Sequence, residues 1–359
     1  MMKRGFINWD KREVNQEDFQ KRKKKVLAKM REEDLRYLVV YGDVWQCDDV
    51  QYLSNFNTYT RDCLLVLDRE GRMSLISSMT PRDREWIAGF TPVAGPDISF
   101  STGLTKASEI MKKGDFLRGK VGLVGDFFPK VLFEHLKKEF PVGDFIDGSE
   151  WYKGLRRVKD TSELALIKRA ALLGMNATKA LLDSGVFGKK ETDLSAQAEW
   201  LVRSRGGEDY HFFCNSKESG FLDFPGNREV KDIFAFTLMT QYKGCWAMMG
   251  RTFASSETGI GKGKGASAYR NLVSETQKEG TLESLEKLIK EAKVQDWSVN
   301  IKSPVGPDNP SSVIRGLERI PGETGAVFTV SFSRENAGGV FVYAETFCTG
   351  EKGYEVLTR

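Results

Sequence analysis

The residues that could transfer protons or bind metal are few in this chain of 359 residues. It has two histidines, His135 and His211. Metal-dependent hydrolases and catalytic triads usually draw on histidine. Because histidine titrates near neutral pH, the sequence predicts His211 as a general base if its side chain faces a pocket. The alternative is a partly buried histidine that packs on a sheet.

Asp223 is the second candidate for acid–base chemistry. Phe221 and Phe224 flank it, and apolar neighbours raise the pKa of a carboxyl group. The alternative is an ordinary loop aspartate ahead of Pro225 and Gly226.

The cysteines and the charge balance exclude several classes of protein. Five cysteines are scattered without a CxxC pair or metal-like spacing, which predicts a reducing, cytoplasmic location. The net charge of +4 is too slight to predict nucleic-acid binding. The densest basic run, residues 21–25, lies in a helical pattern and predicts a solvated helix face. No apolar run approaches the ~20 residues that cross a bilayer, so no membrane partner is expected.

The length predicts two domains, because single cores seldom exceed ~100–150 residues. Helix and strand patterns alternate in the first 150 residues, including a predicted hairpin of residues 63–67 and 73–76. Thr161 or Ser162 is predicted to cap a long helix after the boundary. Aromatic-rich strands and a helix over residues 269–293 follow, which predicts an α+β domain with a mainly antiparallel sheet.

Five stretches, in order along the chain, resemble motifs of the creatinase, prolidase and aminopeptidase P family. They are residues 50–56, 155–170, 244–253, 325–330 and 351–358. The third contains Arg251, Thr252 and Phe253, which resemble the family's Arg-Thr-Phe motif. The resemblance spans nearly the whole chain. It implies an α/β N-terminal domain at residues 1–158 and a pita-bread domain with a curved sheet at residues 159–359.

Metal-dependent members of that family hold two ions with two Asp, one His and two Glu residues, whose atoms suit divalent cations. The resemblance places these ligands on positions with other side chains here, namely Thr237, Met248, Ser303, Ser331 and Ala344. A thioether, hydroxyls and a methyl group cannot hold two such cations. The sequence therefore predicts no metal ion and no other cofactor.

Creatinase, a metal-free member, uses a histidine as its general acid–base. The resemblance places that histidine near Leu222 or Asp223, so this base is absent here. Creatinase also closes its pocket with an aromatic residue and an arginine two positions later. These positions carry Tyr59 and Arg61, which are predicted to reach the pocket of the partner in a homodimer. The alternative is a surface arginine at the start of a strand.

The strands near the former metal positions are rich in aromatic residues and methionine. They predict an apolar pocket for a small organic molecule with a hydrophobic part and an anionic group. The residues predicted to bind it are Tyr59, Arg61, Thr237, Met248, Arg251, Ser331 and Glu345, with Glu345 able to pair with Arg251. One predicted function is a metal-independent, creatinase-like hydrolase or lyase that cleaves a C–N bond. The alternative is a pseudoenzyme that binds a peptide, protein or metabolite without turnover.

Overall fold

The computed structural model describes residues 10–101, 105–217, 219–255, 263–278, 280–303, 317–336 and 339–359. The chain divides into two compact units, the first ending at Arg156 and the second beginning at Arg157. The sequence placed this boundary after residue 158. Within the described ranges, no helix is both long enough and apolar enough to cross a bilayer.

The first unit contains a six-stranded mixed sheet in the order β4-β3-β2-β1-β5-β6. Its strands are β1 (Leu35–Asp43), β2 (Asp62–Asp68), β3 (Met73–Ser77), β4 (Ile98–Phe100), β5 (Gly119–Val124) and β6 (Gly143–Asp147). Its helices are α1 (Gln16–Glu32), α2 (Asp48–Ser54), α3 (Arg84–Ala88), α4 (Lys106–Lys113), α5 (Lys130–Glu139) and α6 (Ser149–Arg157). β2 pairs antiparallel with β1 and β3, which confirms the predicted hairpin, and β5 pairs parallel with β1 and β6.

The apolar run of β1 explains its central place in this sheet. Leu38 and Val40 belong to one hydrophobic core cluster, and Tyr37 and Val39 belong to another. Successive side chains of a strand point to opposite faces. β1 is therefore buried on both faces, as a continuous apolar run predicts.

The basic run of α1 departs from its prediction at one position. Lys21, Lys24 and Lys25 are exposed, but Arg22 is buried. Its guanidinium group lies 4.7 Å from the ring centroid of Phe19 and donates a hydrogen bond of 3.1 Å to the carbonyl of Tyr52. The face is thus partly a packing surface, because a guanidinium group stacks well on aromatic rings.

The second unit contains a seven-stranded sheet in the order β10-β11-β12-β9-β8-β7, with β13 paired to β12. Its strands are β7 (Asp209–Asn215), β8 (Ile233–Tyr242), β9 (Cys245–Ala254), β10 (Ser298–Lys302), β11 (Val327–Asn336), β12 (Gly339–Thr349) and β13 (Tyr354–Val356). Its helices are α7 (Thr161–Asp183), α8 (Glu191–Ser204), α9 (Lys264–Thr276) and α10 (Leu282–Val294). All strand pairs in this sheet are antiparallel, which confirms the predicted fold class.

Two helix boundaries differ from their predictions. Asp160, rather than Thr161 or Ser162, caps α7, because its carboxylate accepts from the amide of Glu163 while the Glu163 side chain accepts in return. The predicted helix over residues 269–293 is two helices, since Thr281 caps a second one.

The two faces of the second sheet differ in what covers them. Apolar residues of α7 and α8 pack on one face against Phe212, Phe236 and Met249. α9 and α10 extend this packing over the β10–β12 side. We call this the helix face. Alternation along the strands turns Thr237 and Gly250 to the opposite face, which we call the cavity face.

Candidate ligand-binding site on the cavity face

Three short side chains and a glycine form a row across the centre of the cavity face. Thr237 of β8 pairs with Gly250 of β9, Gly250 pairs with Ala344 of β12, and Ala344 pairs with Ser331 of β11. A Cβ atom at Gly250 would lie 3.0 Å from the Cβ of Ala344 and 3.2 Å from the methyl group of Thr237. The row is therefore closely packed, and a side chain at position 250 would crowd Ala344 and Thr237.

A cavity of about 550 Å³ opens beside this row. Its lining residues are Phe213, Gly220, Phe221, Leu222, Thr237, Met248, Asp296, Ser298, Ser331, Phe332, Ser333, Arg334, Glu335, Val340 and Val342. Three of the predicted binding residues are thus brought together, namely Thr237, Met248 and Ser331. The volume lies within the range of about 300–1,000 Å³ typical of small-molecule sites.

Ser303 does not belong to this lining. It follows β10 and is buried, and its hydroxyl donates a hydrogen bond of 3.2 Å to the carbonyl of Val327. The rest of its predicted motif, residues 304–306, lies outside the described residues.

His211 lies on the cavity face beside the cavity. It pairs with Met239 across β7 and β8, two positions along β7 from the lining residue Phe213. Its ring centroid is 5.1 Å from that of Trp246. The indole nitrogen of Trp246 and the amide nitrogen of Gln241 are buried there without an acceptor among the described residues. His211 therefore adjoins the cavity within a partly polar corner, and its catalytic role stays a prediction.

Asp223 lies in the loop of residues 216–228, which we call the 216–228 loop. The backbone N–H of Asp223 donates to the carbonyl of Cys214, and the carbonyl of Asp223 accepts from the N–H of Cys214. Its carboxylate accepts a hydrogen bond of 2.7 Å from the amide of Phe224. The side chain is exposed, and Phe221 and Phe224 are themselves 92% and 72% exposed. The predicted enclosure of this carboxylate by apolar neighbours is therefore absent.

Arg251 and Glu345 form an ion pair on the helix face. The Arg251 guanidinium donates to the Glu345 carboxylate at 2.7 Å and to the Ala344 carbonyl at 3.1 Å. Tyr343 donates a hydrogen bond of 2.8 Å to the same carboxylate, and Thr358 donates another. Burial raises the pKa of Glu345, although Arg251 opposes this rise. The two residues thus form the pair that the sequence left open. Neither lines the cavity, and their predicted substrate-binding role stays a prediction.

Tyr59 and Arg61 belong to the first unit. The ring centroid of Tyr59 lies 5.7 Å from that of Trp86 in an edge-on contact. Arg61 is exposed and has a φ of 41°, in the left-handed region that non-glycine residues seldom adopt. Their predicted contribution to a partner's pocket stays a prediction.

Solved structures with the same architecture were found by comparison with known proteins. An Xaa-Pro dipeptidase from Bacillus anthracis matches with a TM-score of 0.74 at 18% identity, covering 95% of this chain and 98% of that chain. An X-Pro aminopeptidase from Thermotoga maritima matches with a TM-score of 0.73 at 16% identity, covering 94% and 97%. Residues 22–158 match the creatinase/prolidase N-terminal domain family. Residues 22–158 belong to the creatinase/prolidase N-terminal domain family, and the second unit has the pita-bread fold.

The sequence match to one curated relative covers only part of the chain. An Xaa-Pro dipeptidase from Pyrococcus horikoshii is 21% identical over 145 residues, which is 34% of this chain. The match spans 41% of the length of that relative.

The two-ion centre of metal-dependent creatinase/prolidase members does not fit the residues present here. The row and the cavity offer two hydroxyls, a thioether and a methyl group at Thr237, Ser331, Met248 and Ala344. Divalent ions of that kind require carboxylate oxygens or imidazole nitrogens. In the described part of the chain, no three His, Cys, Asp or Glu side chains come together as a metal site.

Proposed function

We propose that the second unit binds a small, partly hydrophobic organic molecule without a metal ion, in the cavity on the cavity face. The supporting observation is that the cavity is lined by three of the positions that the resemblance assigns to metal ligands. Hydroxyl groups of Thr237, Ser331 and Ser333 can accept or donate hydrogen bonds there. Phe213, Met248 and other apolar groups supply the contact area.

The enzymatic form of this proposal is a second candidate, and the position of His211 favours it. A C–N bond hydrolase or lyase needs a group that transfers protons near neutral pH. His211 lies on the same face as the lining residue Phe213, two positions away. Asp223 is the weaker candidate, because its carboxylate is exposed and bonded to its own loop. Incubation of a captured ligand with the protein, followed by mass spectrometry, separates turnover from binding alone.

Treatment with a metal chelator is expected to leave the stability of the protein unchanged. Dialysis against EDTA should leave the melting temperature unchanged, because the donor set at the former ligand positions cannot hold divalent ions. Elemental analysis should find far less than one equivalent of manganese, cobalt, zinc or iron. Xaa-Pro dipeptides should remain intact, since no metal-bound hydroxide forms. Stoichiometric metal, with a melting temperature that falls on chelation, would show that the assignment of these positions is wrong.

Filling the cavity is expected to weaken ligand binding. Native mass spectrometry of the protein with a library of small organic acids, amines and amides identifies binders. Ser331→Phe places a ring over the floor of the cavity and should weaken each binder by at least about tenfold, or 1.4 kcal/mol. Isothermal titration measures the change.

Ser331→Ala is the matched control, because it keeps the volume of the cavity and removes one hydroxyl. Its affinity should stay within about threefold of wild type, the scale of one neutral hydrogen bond. Equal binding to wild type and Ser331→Phe would mean that the ligand binds elsewhere, and the proposed function would be wrong.

A further inference from the structure

We propose that the cavity selects ligands with a cationic group, such as a substituted ammonium attached to an aromatic or aliphatic part. This inference rests on the proposed function and replaces the anionic ligand that the sequence predicted. It combines two observations: phenylalanine rings stand exposed at the mouth of the cavity, and two acidic residues, Asp296 and Glu335, line the same cavity.

The aromatic part of the mouth consists of Phe213, Phe221 and Phe224. Phe213 and Phe221 line the cavity, and the ring centroid of Phe224 lies 5.2 Å from that of Phe213. Phe221 is 92% exposed. A side chain that exposes so much apolar area at the rim of a cavity is placed to cover a bound molecule.

The backbone that carries Phe221 is held in place. The side-chain amide of Asn215 donates hydrogen bonds to the carbonyls of Ser219 and Phe221, at 3.3 and 2.8 Å. Two backbone hydrogen bonds join Cys214 to Asp223. The turn therefore loses little conformational entropy when a ligand binds, which favours affinity.

A buried carboxylate holds the two ends of the 216–228 loop. Glu191, at the start of α8, has no exposed surface and accepts hydrogen bonds from the hydroxyl of Ser216 at 2.6 Å and the amide of Gly226 at 2.8 Å. It also pairs with Arg228 at 3.0 Å. Both ends of the loop are thus fixed to the body of the second unit.

The charged part of the mouth is mainly acidic. Glu335 of β11 lies beside the Phe221 turn, where its carboxylate accepts a hydrogen bond of 3.4 Å from the amide of Gly220. Asp296 lines the same cavity. Arg334 contributes to the lining as well, but strand alternation directs its side chain to the face opposite Ser333 and Glu335. The carboxylates therefore outweigh the guanidinium group on the cavity side.

Aromatic faces and carboxylates both attract cations. A cation over an aromatic ring is stabilised by the negative face of the ring, and quaternary ammonium ligands are bound in this way by aromatic cages. A nearby carboxylate adds an attraction that salt screens. An anion would meet repulsion from both, whereas a neutral ligand would gain only apolar contact.

Three probes that share a phenyl ring test this selectivity. Isothermal titration with benzyltrimethylammonium, benzyl alcohol and phenylacetate compares a cation, a neutral molecule and an anion. We expect the cation to bind at least about tenfold more tightly than the anion, because cation–π attraction and carboxylate attraction both favour the cation. The preference should shrink as the salt concentration rises.

Variants assign the preference to the proposed residues. Glu335→Gln with Asp296→Asn should reduce the preference for the cation over the anion to less than about threefold, while Phe221→Ser should weaken the cation about two- to fivefold. Glu355→Gln is the matched control, because it removes an exposed carboxylate outside the cavity and should leave the preference unchanged.

Three results would overturn the inference. They are equal or tighter binding of phenylacetate, a cation preference that survives in the double variant, and the absence of binding by all three probes at millimolar concentration. Failure of the proposed function looks different, because binders from the library would then be insensitive to Ser331→Phe. A ligand blocked by Ser331→Phe but bound without charge preference would overturn this inference alone.

Discussion

Arg251→Met is expected to lower the free energy of unfolding by about 3–5 kcal/mol near neutral pH, the range for breaking a buried ion pair. The variant leaves the fully buried carboxylate of Glu345 without the guanidinium group that lies 2.7 Å from it. Two hydroxyl donors, Tyr343 and Thr358, remain, but they carry no positive charge. Urea unfolding followed by circular dichroism measures the loss, and an unchanged m-value shows that the two states keep their exposed areas.

The same variant should become more dependent on pH. Burial already raises the pKa of Glu345, and loss of Arg251 removes the main opposing interaction, so this pKa rises further. Between the unfolded pKa of about 4.3 and the folded pKa, the folded state binds more protons than the unfolded state. The unfolding free energy therefore falls as pH rises through this window, and the variant is closest to wild type near its lower end.

The double variant Arg251→Met with Glu345→Gln serves as the control. It removes both charges and keeps an acceptor for Tyr343 and Thr358, so it should recover at least about half of the loss. It should also lose the added pH dependence. A single variant within about 1 kcal/mol of wild type would mean that the pair is solvated, contrary to its burial.

In the enzymatic form of the proposed function, His211→Gln is expected to lower kcat by about 10²–10⁴, the range for loss of a general acid or base. Glutamine keeps much of the size of the side chain and can still form hydrogen bonds, but it does not exchange protons near neutral pH. Steady-state turnover of a captured ligand, followed by mass spectrometry, gives kcat and KM separately.

The matched control is His135→Gln, which makes the same change in the first unit. The His135 ring lies 2.9 Å from the hydroxyl of Ser108, far along the chain from the cavity residues. Its kcat should equal that of wild type. Full activity in His211→Gln would exclude the imidazole from proton transfer and would make Asp223→Asn the next variant to measure.

The fold could be predicted from local patterns and from the order of short motifs. The run around Val39 and the hairpin of β2 and β3 depend on alternation and apolar length, which the sequence carries directly. The family resemblance also grouped Thr237, Met248 and Ser331 in one predicted pocket, and all three line the cavity. These features require no knowledge of which distant elements meet.

The contacts that could not be predicted join residues far apart in sequence. Arg251 meets Glu345 because β9 and β12 are neighbours in the sheet, although 94 residues separate the two. Glu191 likewise accepts a hydrogen bond from the amide of Gly226, which lies 35 residues further along the chain. Arg22 looked like part of a solvated face, since its run of basic neighbours carries no sign of Tyr52, which lies 30 residues on. Sheet order and helix packing decide such contacts.

The packed row of Thr237, Gly250, Ala344 and Ser331 has an evolutionary consequence. Met248, next to it, is buried with Met239, Trp246 and Ala344 in one apolar cluster. An aspartate introduced at position 248 would bury a carboxylate among these groups and destabilise the fold by several kcal/mol. A bound metal ion would offset that cost only if several further carboxylate or imidazole ligands were also present, so selection on single substitutions disfavours each first step. Descendants of this chain are therefore expected to keep uncharged side chains at these positions and to diversify by changing the mouth of the cavity.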